Sequence, residues 1–516
     1  MKRKGIQQKG ERRIAAALRL LLVAVLLLAQ ILFVVLISVF LREHAAVLYT
    51  VIELAAVSCA LHIYNKPGDP SYRIAWIILL LFLPVTGFIL YGLWGGEIFR
   101  SRSAGQKKNY QEPQSMQTIS ELNAEKLHKS FPNWTRLSTY LRSRGFTVYP
   151  NTETVYFPEG KLLLEDILRT IRQAEHFVFL EYFILAEGEI WDRLFALLRE
   201  KAAHGVEVCI IFDDFGNIKR FSGETLDAVR AAGIDVIVFN PVHEYVNRLY
   251  FNYRDHRKIA VIDGNIAYTG GANVADEYAN IIERCGYWKD GGVRLAGDGA
   301  WGLTRCFLQM WSDLGGALRG EFDYYRPHLA KQADGFVQSF SDGPENNPDD
   351  PAEAVYLQII NGARHSLYIT TPYFIPTGEI VHALCVAGDG GVDVRLMLPG
   401  IPDHKCSDML AESYFGELIR HNVKVYRYTP GMLHLKSAVA DGEVAFIGSV
   451  NMDYRSLELH FECGTVLYGT SAIRDLSEDL ETVLSQSREI TMEEWGKRGI
   501  LRRFFAPILR PFAIWM

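Results

Sequence analysis

The chain has 516 residues, of which 49% are hydrophobic and 22% are charged, and its formal net charge is -6. This length and hydrophobic content allow two or three domains with substantial cores, and they exclude a disordered chain or a small disulfide-built scaffold. The slightly acidic balance excludes the global positive field expected of a protein that coats nucleic acid. The hydrophobic residues are unevenly spread, because the N-terminal region holds most of the excess.

The N-terminal region begins with a basic segment that leads into a long apolar stretch. Six basic residues precede this stretch, and between Leu20 and Phe40 the only polar residues are Gln30 and Ser38. The stretch matches the hydrocarbon thickness of a bilayer and exceeds the roughly 7–15 residues of a signal-peptide core. We therefore predict a membrane-spanning helix at about residues 14–41 and not a cleaved signal peptide.

A second apolar stretch predicts another span, and a third stretch is ambiguous. Residues 74–95 carry no charge, and Pro84 is tolerable there because neighbouring helices can satisfy the freed carbonyl group. Residues 45–64 are long enough to span but contain Glu53 and His62, so they form either a third span or a buried or interfacial helix. With a cytoplasmic N-terminus, two spans return the chain to the cytoplasm and three place it outside.

Cysteine usage favours the cytoplasmic side. The seven cysteines are scattered without CxxC spacing, which is typical of buried free thiols and not of a disulfide framework or a zinc site. We therefore predict a multi-pass protein of the cell membrane, with residues 1–100 as the membrane anchor and residues 101–130 as a polar linker.

Beyond the linker, amphipathic helical patterns alternate with strand-like runs. The apolar positions of residues 162–174 recur at helical spacing, and residues 176–185 form a run typical of a buried strand. A second amphipathic helix ends at Gly205, and the strand-like run VEVCIIFDD follows it. Helices that alternate with strands in this way predict an α/β fold built around mostly parallel or mixed sheets.

The same pattern occurs twice along the chain. The segment GVEVCIIFD has the counterpart GVDVRLMLP, and GIDVIVFNP has the counterpart NVKVYRYTP. The offset stays near ~190 residues, which indicates a duplicated domain. We predict the first copy at residues 131–335 and the second at residues 336–495, folded about a pseudo-twofold axis.

The two repeats carry the same polar motif. His256 to Asn273 reads HRKIAVIDGNIAYTGGAN and His434 to Asn451 reads HLKSAVADGEVAFIGSVN, with nine of 18 aligned residues identical. A single HxKx4D pattern is weak evidence, but two copies at equivalent places of two repeats exclude coincidence. The candidate catalytic residues are therefore those of the two triplets: His256, Lys258, Asp263, His434, Lys436 and Asp441.

These residue types suit chemistry on a phosphodiester. In an extended stretch the His and Lys of HxK lie on the same face, so two facing repeats bring two imidazoles and two ammonium groups into one cleft. The lysines can offset negative charge, one imidazole can attack phosphorus, and the other can protonate the departing oxygen. We expect Asp263 and Asp441 to hold the imidazoles in one tautomer, with no need for a metal or an organic cofactor.

The paired HxKx4Dx6GxxN motifs resemble those of the phospholipase D superfamily. The apolar segment at residues 66–95 and the stretch NMDYRSLELHFE at residues 451–462 are similar, more narrowly, to bacterial cardiolipin synthases. The resemblance covers nearly the whole chain from about residue 45. It implies two phospholipase D-like α/β domains that are preceded in sequence by transmembrane helices. Relative to the common two-helix form, the segment before residue 45 is an additional span.

The resemblance also implies a reaction. A phosphatidyl group passes from one phosphatidylglycerol to a histidine and then to a second phosphatidylglycerol, which gives cardiolipin and glycerol through a phosphohistidine intermediate. By analogy His256 is the nucleophile, and His434 is the general acid and then the base. The alternative is a phosphodiesterase that hydrolyses phospholipids. The expected partners are phosphatidylglycerol and anionic membrane lipid, with no nucleic acid and no obligatory protein partner.

Three residues match positions at which the family bonds the substrate phosphate: Asn273, Ser449 and Asn451. Gly271 stands where a serine is more usual, so the first motif lacks the hydroxyl group of the second. The second substrate stays open at this point, because a phosphatidylethanolamine donor or another alcohol acceptor would use the same chemistry.

The C-terminal tail, residues 496–516, combines basic and aromatic residues without an acidic one. Its five basic residues are Lys497, Arg498, Arg502, Arg503 and Arg510. The pattern predicts either a solvated or packed helix or an interfacial anchor attracted to anionic lipid.

Overall fold

The computed structural model describes residues 45–66, 70–94, 114–241, 253–344 and 349–510, together with four helical residues at 25, 28, 32 and 35. Apart from those four residues, the predicted span at 14–41 lies outside the described residues. The chain divides into two units. Residues 1–107, 241–252 and 508–516 form the first unit, and residues 108–240 and 253–507 form the second.

The first unit contains three described helices: α1 (Ala45–Tyr64), α2 (Pro70–Phe82) and α3 (Pro84–Trp94). By length and composition, Ala46–Tyr64 is the one helix in the described residues that could cross a membrane, and Tyr72–Phe82 is a shorter apolar helix. The stretch predicted as one span at 74–95 is divided at Leu83, because Pro84 lacks the N–H group that would continue the helix.

These helices bury only a few side chains among themselves. Their small core consists of Ile63, Trp76, Leu80 and Leu90. On α1, by contrast, six large hydrophobic residues are exposed: Val47, Val51, Leu54, Val57, Leu61 and Tyr64. An apolar surface of this kind suits lipid and not water.

Two helices precede the first sheet, α4 (Gln114–Ser130) and α5 (Thr135–Ser143). The second half of the predicted linker is therefore helical. Leu127, Trp134 and Leu137 join the hydrophobic cluster of the second repeat, and Trp134 Nε1 donates a hydrogen bond of 3.0 Å to Glu443. These helices precede the first repeat in sequence but pack onto the second repeat.

The first repeat forms a seven-stranded sheet in the order β1-β9-β7-β6-β2-β3-β4. Its strands are β1 (Thr152–Phe157), β2 (Phe177–Tyr182), β3 (Glu207–Asp213), β4 (Asp235–Phe239), β6 (Lys258–Ile262), β7 (Ile266–Gly270) and β9 (Gly292–Gly297), and two short strands, β5 (Arg254–Asp255) and β8 (Tyr287–Lys289), pair elsewhere. Its helices are α6 (Gly160–Ile171), α7 (Glu189–Ala203), α8 (Asp214–Asn217), α9 (Gly223–Ala231) and α10 (Ala300–Asp313).

The second repeat forms the corresponding sheet in the order β10-β19-β17-β16-β11-β13-β14-β20. Its strands are β10 (Phe336–Asp342), β11 (Ser366–Thr370), β13 (Asp393–Pro399), β14 (Lys424–Tyr428), β16 (Ser437–Ala440), β17 (Val444–Gly448), β19 (His460–Tyr468) and β20 (Ser487–Glu489), with the short strands β12 (Phe374–Ile375), β15 (Gly431–Leu433) and β18 (Met452–Asp453). Its helices are α11 (Pro351–Gly362), α12 (Gly378–Asp389), α13 (Lys405–Arg420), α14 (Tyr454–Glu458) and α15 (Ser471–Ser485), followed by α16 (Met492–Gly496) and α17 (Ile500–Leu509) in the tail.

The duplicated α/β architecture is confirmed, and the sheets are mixed. Only three neighbouring strands of each sheet run parallel, β2-β3-β4 in the first and β11-β13-β14 in the second. The strands that carry the HxK motifs, β6 and β16, continue into antiparallel hairpins. Along the main path of each sheet, parallel pairing is therefore confined to the segments in which a helix separates consecutive strands, and the remaining parallel pairs involve short strands: β5-β19, β8-β15 and β12-β18.

Each repeat lends a short strand to the other, and this exchange forms a seam. Strand β5 of the first repeat pairs with β19 of the second, and β15 of the second pairs with β8 of the first. The two repeats also share a core, in which Ile259 and Val261 of β6 cluster with Val439 and Ile447. The seam is thus fixed by both backbone pairing and apolar burial.

Candidate active site

The seam brings the two HxK motifs into one site. His256 follows β5 and His434 follows β15, and their backbone N–H groups donate across the seam to Phe461 and Lys289, at 2.8 and 2.7 Å. The imidazoles are 8% and 5% exposed. The charges of both motif lysines and of His434 contribute to lowering the pKa of His256.

The partner of His256 is a carboxylate of the other repeat. Nδ1 of His256 lies 2.9 and 3.1 Å from the two carboxylate oxygens of Glu462, on β19. The hydroxyl group of Ser449 donates to the same carboxylate and also accepts the N–H of Cys463 at 3.0 Å. The Phe183 ring packs edge-on against the imidazole, with ring centroids 5.1 Å apart. With a carboxylate as acceptor, the proton is held on Nδ1 and the lone pair on Nε2.

His434 has the reciprocal arrangement. Its Nδ1 lies 2.6 Å from a carboxylate oxygen of Asp290, whose other oxygen accepts the N–H of Gly291 at 2.8 Å. A Cβ atom on Gly271 would lie 2.2 Å from this second oxygen. The Asp290 carboxylate therefore fills the space of a side chain at 271, which explains why the first motif has glycine where the second has Ser449.

Asp290 and Glu462 occupy equivalent positions of the repeats. Gly270 pairs with Gly292 and Gly448 pairs with Gly464, and each carboxylate lies two residues before the second glycine of its pair. Neither residue was among the sequence-predicted site residues. The signal that could have found them is an acidic residue in the same register of both repeats, in KDGG and FECG.

The predicted contact of Asp263 and Asp441 with the imidazoles is wrong. Each aspartate opens a three-residue hairpin turn, with φ of 52° and 55°, and a glycine of positive φ follows. The Asp263 carboxylate accepts three backbone N–H groups from residues 175–177 at 2.8–2.9 Å. The Asp441 carboxylate accepts those of residues 364–366 at 2.7–2.9 Å. Both side chains fasten a hairpin to the start of the neighbouring strand.

The two lysines give the site its positive charge. Lys258 Nζ donates to the backbone oxygen of His256, and Lys436 Nζ donates to that of His434 at 2.6 Å. Burial lowers the pKa of Lys258 to about 8 and that of Lys436 to about 7. A bound anion reverses this effect, because it favours the charged forms of both lysines.

The two imidazoles are neutral in the unliganded site. Burial and the charge of Lys436 lower the pKa of His434 to about 4, although Asp290 opposes this change. Burial, Lys258 and Lys436 hold the pKa of His256 well below its ordinary value. Near neutral pH each ring thus offers one N–H group and one lone pair.

The three predicted phosphate-binding residues differ in whether their side chains already form hydrogen bonds within the protein. Asn273 accepts the N–H of Ile184 at 3.0 Å and donates to the Tyr278 hydroxyl at 2.8 Å. Ser449 is engaged with Glu462. Asn451 is buried, and its Oδ1 has no hydrogen-bond partner in the described part of the chain. Of the three, Asn451 is therefore the one with an unused acceptor.

One group of side chains among the described residues could hold a metal ion. His256, His460 and Glu462 each offer one ligand atom, and these atoms lie within 4.8 Å of one another. This group does not test the prediction that the reaction needs no metal.

Two α/β repeats that each place an HxK motif at a shared seam have the fold and site of the phospholipase D superfamily. The family model "Cardiolipin synthase, PLD-like domain" matches residues 167–281 and 356–484, and "Phospholipase D-nuclease N-terminal" matches residues 54–96. The first match lies in the two repeats and the second in the N-terminal helices. The chain therefore belongs to the cardiolipin synthase family of this superfamily.

Individual relatives extend over most of the chain. A Streptococcus mutans protein described as uncharacterised is 39% identical over 88% of this chain and 100% of its own length. A cardiolipin synthase of Clostridium perfringens is 34% identical over 86% of this chain and 94% of its own length. The solved phosphatidylserine synthase of Haemophilus influenzae has a TM-score of 0.55 at 15% identity, over 73% of this chain and 97% of that chain. This last likeness shows the fold.

The aspartates of the hairpin turns should affect stability and not the chemistry. Replacing Asp441 by Asn keeps the turn but weakens three hydrogen bonds to a carboxylate, so we expect the free energy of unfolding to fall by about 1–3 kcal/mol. Glu462→Gln is the comparison, because it should abolish turnover with a smaller change in stability. A loss of turnover in Asp441→Asn at unchanged stability, measured below its melting temperature, would contradict this assignment.

Anion binding should weaken as pH rises. Lys436 and Lys258 lose their protons through about pH 7 and 8, so the site attracts an anion most strongly below this range. Tungstate is a suitable probe because its own charge is constant above pH 6, and we expect its inhibition constant to rise between pH 6 and 9. In Lys436→Arg the guanidinium stays charged, so the part of the rise near pH 7 should disappear. The same profile in this variant and wild type would exclude Lys436 as the titrating group.

Proposed function

We propose that the protein is a cardiolipin synthase that converts two phosphatidylglycerol molecules into cardiolipin and glycerol. The observation that carries the proposal is the reciprocal site at the seam, where two neutral imidazoles each face a carboxylate of the other repeat, beside two buried lysines. The family to which the chain belongs specifies the lipid chemistry.

In the first step, Nε2 of His256 attacks the phosphorus of the donor phosphatidylglycerol. The P–N bond forms as the bond from phosphorus to the glycerol oxygen breaks, and the proton of His434 passes to the departing oxygen. Glu462 holds the proton of His256 on Nδ1 and stabilises the positive charge that develops on the ring. Lys258 and Lys436 offset the charge on the phosphoryl oxygens.

His434 must carry a proton in this step, although it is neutral in the unliganded site. The negative charge of the phosphodiester adds to that of Asp290, and both raise the pKa of His434 when substrate is bound. Proton uptake therefore accompanies substrate binding, and the general acid is charged only when there is an oxygen to protonate.

In the second step, the primary hydroxyl group of another phosphatidylglycerol replaces the glycerol. His434, now neutral, takes the hydroxyl proton, the oxygen attacks phosphorus, and the P–N bond to His256 breaks. Water in place of the lipid alcohol would give phosphatidic acid, which is the hydrolase alternative. The unused Oδ1 of Asn451 can accept the hydroxyl group of the incoming lipid alcohol. Asn273 and Ser449 support the phosphoryl site through the side chains that they hold, Tyr278 and Glu462.

A single assay tests the reaction and the two histidine roles. Full-length enzyme is incubated with phosphatidylglycerol labelled in its headgroup, and we expect cardiolipin and free labelled glycerol in equal amounts. Both His256→Ala and His434→Ala should lower turnover by at least about 10³-fold. After a quench with denaturant at mildly alkaline pH, which preserves the acid-labile P–N bond, only the variant that retains the nucleophile should hold a phosphatidyl group on the protein, and we expect this to be His434→Ala.

His421→Ala is the control for this assay. This histidine is 43% exposed in its side chain and pairs with Asp389 on the surface, so the variant should react as the wild type does. Phosphatidic acid as the only product would indicate a hydrolase, and a trapped adduct on His256→Ala would exchange the roles of the two histidines.

We infer that the protein is a multi-pass membrane protein whose catalytic repeats work at the cytoplasmic surface. Three observations support this. Helix α1 is long and apolar enough to cross a membrane, the family's N-terminal region covers residues 54–96, and all seven cysteines are free. Free thiols suit the reducing side of the membrane.

The C-terminal tail combines packed and exposed residues. Arg498 donates to the backbone oxygen of Glu412 at 2.9 Å, and Arg502 forms an ion pair of 2.7 Å with its carboxylate, so these two bases face the protein. Ile500 and Phe504 lie one helical turn apart and are 82% and 62% exposed, beside exposed Arg503. We propose that this face enters the interface of an anionic membrane.

The exposed tail face should control how the enzyme meets its substrate surface. In Ile500→Ser/Phe504→Ser, we expect a higher mole fraction of phosphatidylglycerol in mixed micelles to be needed for half-maximal rate, with an unchanged rate at saturation. Leu162→Ser removes an apolar residue of α6 that is 46% exposed, and it should behave as the wild type. Equal dependence on mole fraction in the wild type and the tail variant would show that this face does not contact lipid.

A further inference from the structure

His460 is a third imidazole at the site, and the proposed reaction does not use it. It begins β19, and its ring centroid lies 5.4 Å from that of His256. Both of its ring nitrogens are buried and lack a hydrogen-bond partner. The nearest carboxylate oxygen, on Glu462, is 3.7 Å from its Nδ1, which is beyond hydrogen-bond distance. Buried polar atoms without a partner are rare in folded proteins, so both nitrogens of this ring are available to a ligand.

The surroundings of His460 provide the rest of a metal site. Nδ1 of His256 lies 2.9 Å from Glu462 Oε1, so two imidazole nitrogens face the same carboxylate oxygen. All three ligand atoms lie within 4.8 Å of one another, and small side-chain rotations can bring them to the ~2.0–2.2 Å bond lengths of zinc. The hydroxyl group of Ser449 holds the other oxygen of Glu462, as the outer partners of metal ligands do.

The charge balance of the site also permits a dication. Two ammonium groups, those of Lys258 and Lys436, would repel it. The carboxylates of Glu462, Asp290 and Asp403 act on Lys436, and the first two act on Lys258 as well. Arg455 acts on His460, but Asp453 acts on Arg455 in turn, so these four carboxylates outnumber the three cations. A divalent ion therefore enters a site that is not dominated by positive charge.

We propose that His256, His460 and Glu462 form an inhibitory site for a divalent transition-metal ion, of which Zn²⁺ is the best match. Two imidazoles and one carboxylate are a common ligand set for this ion, and a fourth position stays open to water. The site is regulatory, because the ion occupies the imidazole that the reaction requires.

Inhibition follows from where the proton of His256 goes. In the unliganded site the proton is on Nδ1 and the lone pair is on Nε2. When the ion binds Nδ1, the proton moves to Nε2, and that nitrogen no longer has a lone pair with which to attack phosphorus. This consequence rests on the proposed function, whereas the binding of the ion does not.

The equivalent position of the first repeat has no metal ligand, so the proposed site is not common to both repeats. The position equivalent to His460 is Trp288, two residues before Asp290, and its ring packs 5.2 Å from that of His434 at nearly the same tilt, 43° against 41°. An indole has no lone pair for a metal. One of two matched positions thus carries a ligand and the other does not, so His460→Trp is a natural test variant.

The experiment measures bound metal directly. Full-length enzyme in detergent is stripped with a chelator, the chelator is removed, and Zn²⁺ is titrated in competition with a chromogenic chelator. We compare the wild type with His460→Trp and His460→Asn, and use His421→Asn as a control for a surface histidine. Any zinc that binds the exposed thiol of Cys406 binds all four proteins alike. A difference in zinc content between the proteins therefore reports binding at His460.

We expect each His460 variant to bind one zinc fewer per chain than the wild type and the control. Co²⁺ in the wild type should give visible absorption bands of an imidazole-ligated ion, and both His460 variants should lack them. The zinc concentration for half-inhibition, relative to each protein's own metal-free rate, should rise by at least about tenfold in the variants.

Two results would overturn the proposal. The first is equal zinc stoichiometry in all four proteins, provided that circular dichroism shows the variants to be folded. The second is loss of the zinc from the His460 variants without any change in inhibition, which would remove the regulatory role. If the wild type makes no cardiolipin, the proposed function fails, but the stoichiometry still decides whether the metal site exists.

Discussion

Each imidazole of the site is held by a carboxylate that belongs to the other repeat. Glu462 of the second repeat faces His256 of the first, and Asp290 of the first faces His434 of the second. Separating the repeats would remove the carboxylate partner of each imidazole and expose the apolar core that the repeats share. Docking of the repeats and assembly of the site are therefore one event, and neither repeat contains a complete half-site on its own.

A buried ionic network fixes the strands that make this exchange. Asp213 pairs with Arg254 at 3.3 Å and accepts the backbone N–H of Asp255 at 3.1 Å, which holds β5 in place. Arg257 reaches across the seam and donates to the backbone oxygen of Glu462 at 3.2 Å. Burying charged groups costs free energy unless each has a partner. The network therefore contributes more to selecting one docking geometry than to the free energy of unfolding.

Much of this site could be predicted from sequence, because the chemistry recurs in two copies of a recognisable motif. His256, Lys258, His434 and Lys436 were found in this way, as were the duplication and the α/β class. The aspartates were misassigned because a carboxylate is the usual partner of a catalytic histidine. The Asp-Gly pair after each strand is in fact a hairpin-turn signal, and the turn directs Asp263 and Asp441 to backbone N–H groups.

What could not be predicted depends on contacts between the repeats. Glu462 is 206 residues from His256, and Asp290 is 144 residues from His434, so no local pattern connects them. The sequence left open whether the sheets are mostly parallel or mixed for a related reason. Helix-strand alternation indicates a crossover, but it does not show that the motif strands turn back as hairpins. The packing of Trp134 onto the second repeat is likewise a tertiary contact without a sequence signature.

The fusion of two repeats in one chain has a consequence for how such a site can evolve. A symmetric dimer of a single repeat would carry every substitution twice, and its two imidazoles would keep identical surroundings. Here the surroundings have diverged: glycine stands opposite Ser449, Asp290 opposite Glu462, and Trp288 opposite His460. Covalent linkage has freed each half to specialise, so that selection can act on one histidine's environment while the other's is preserved.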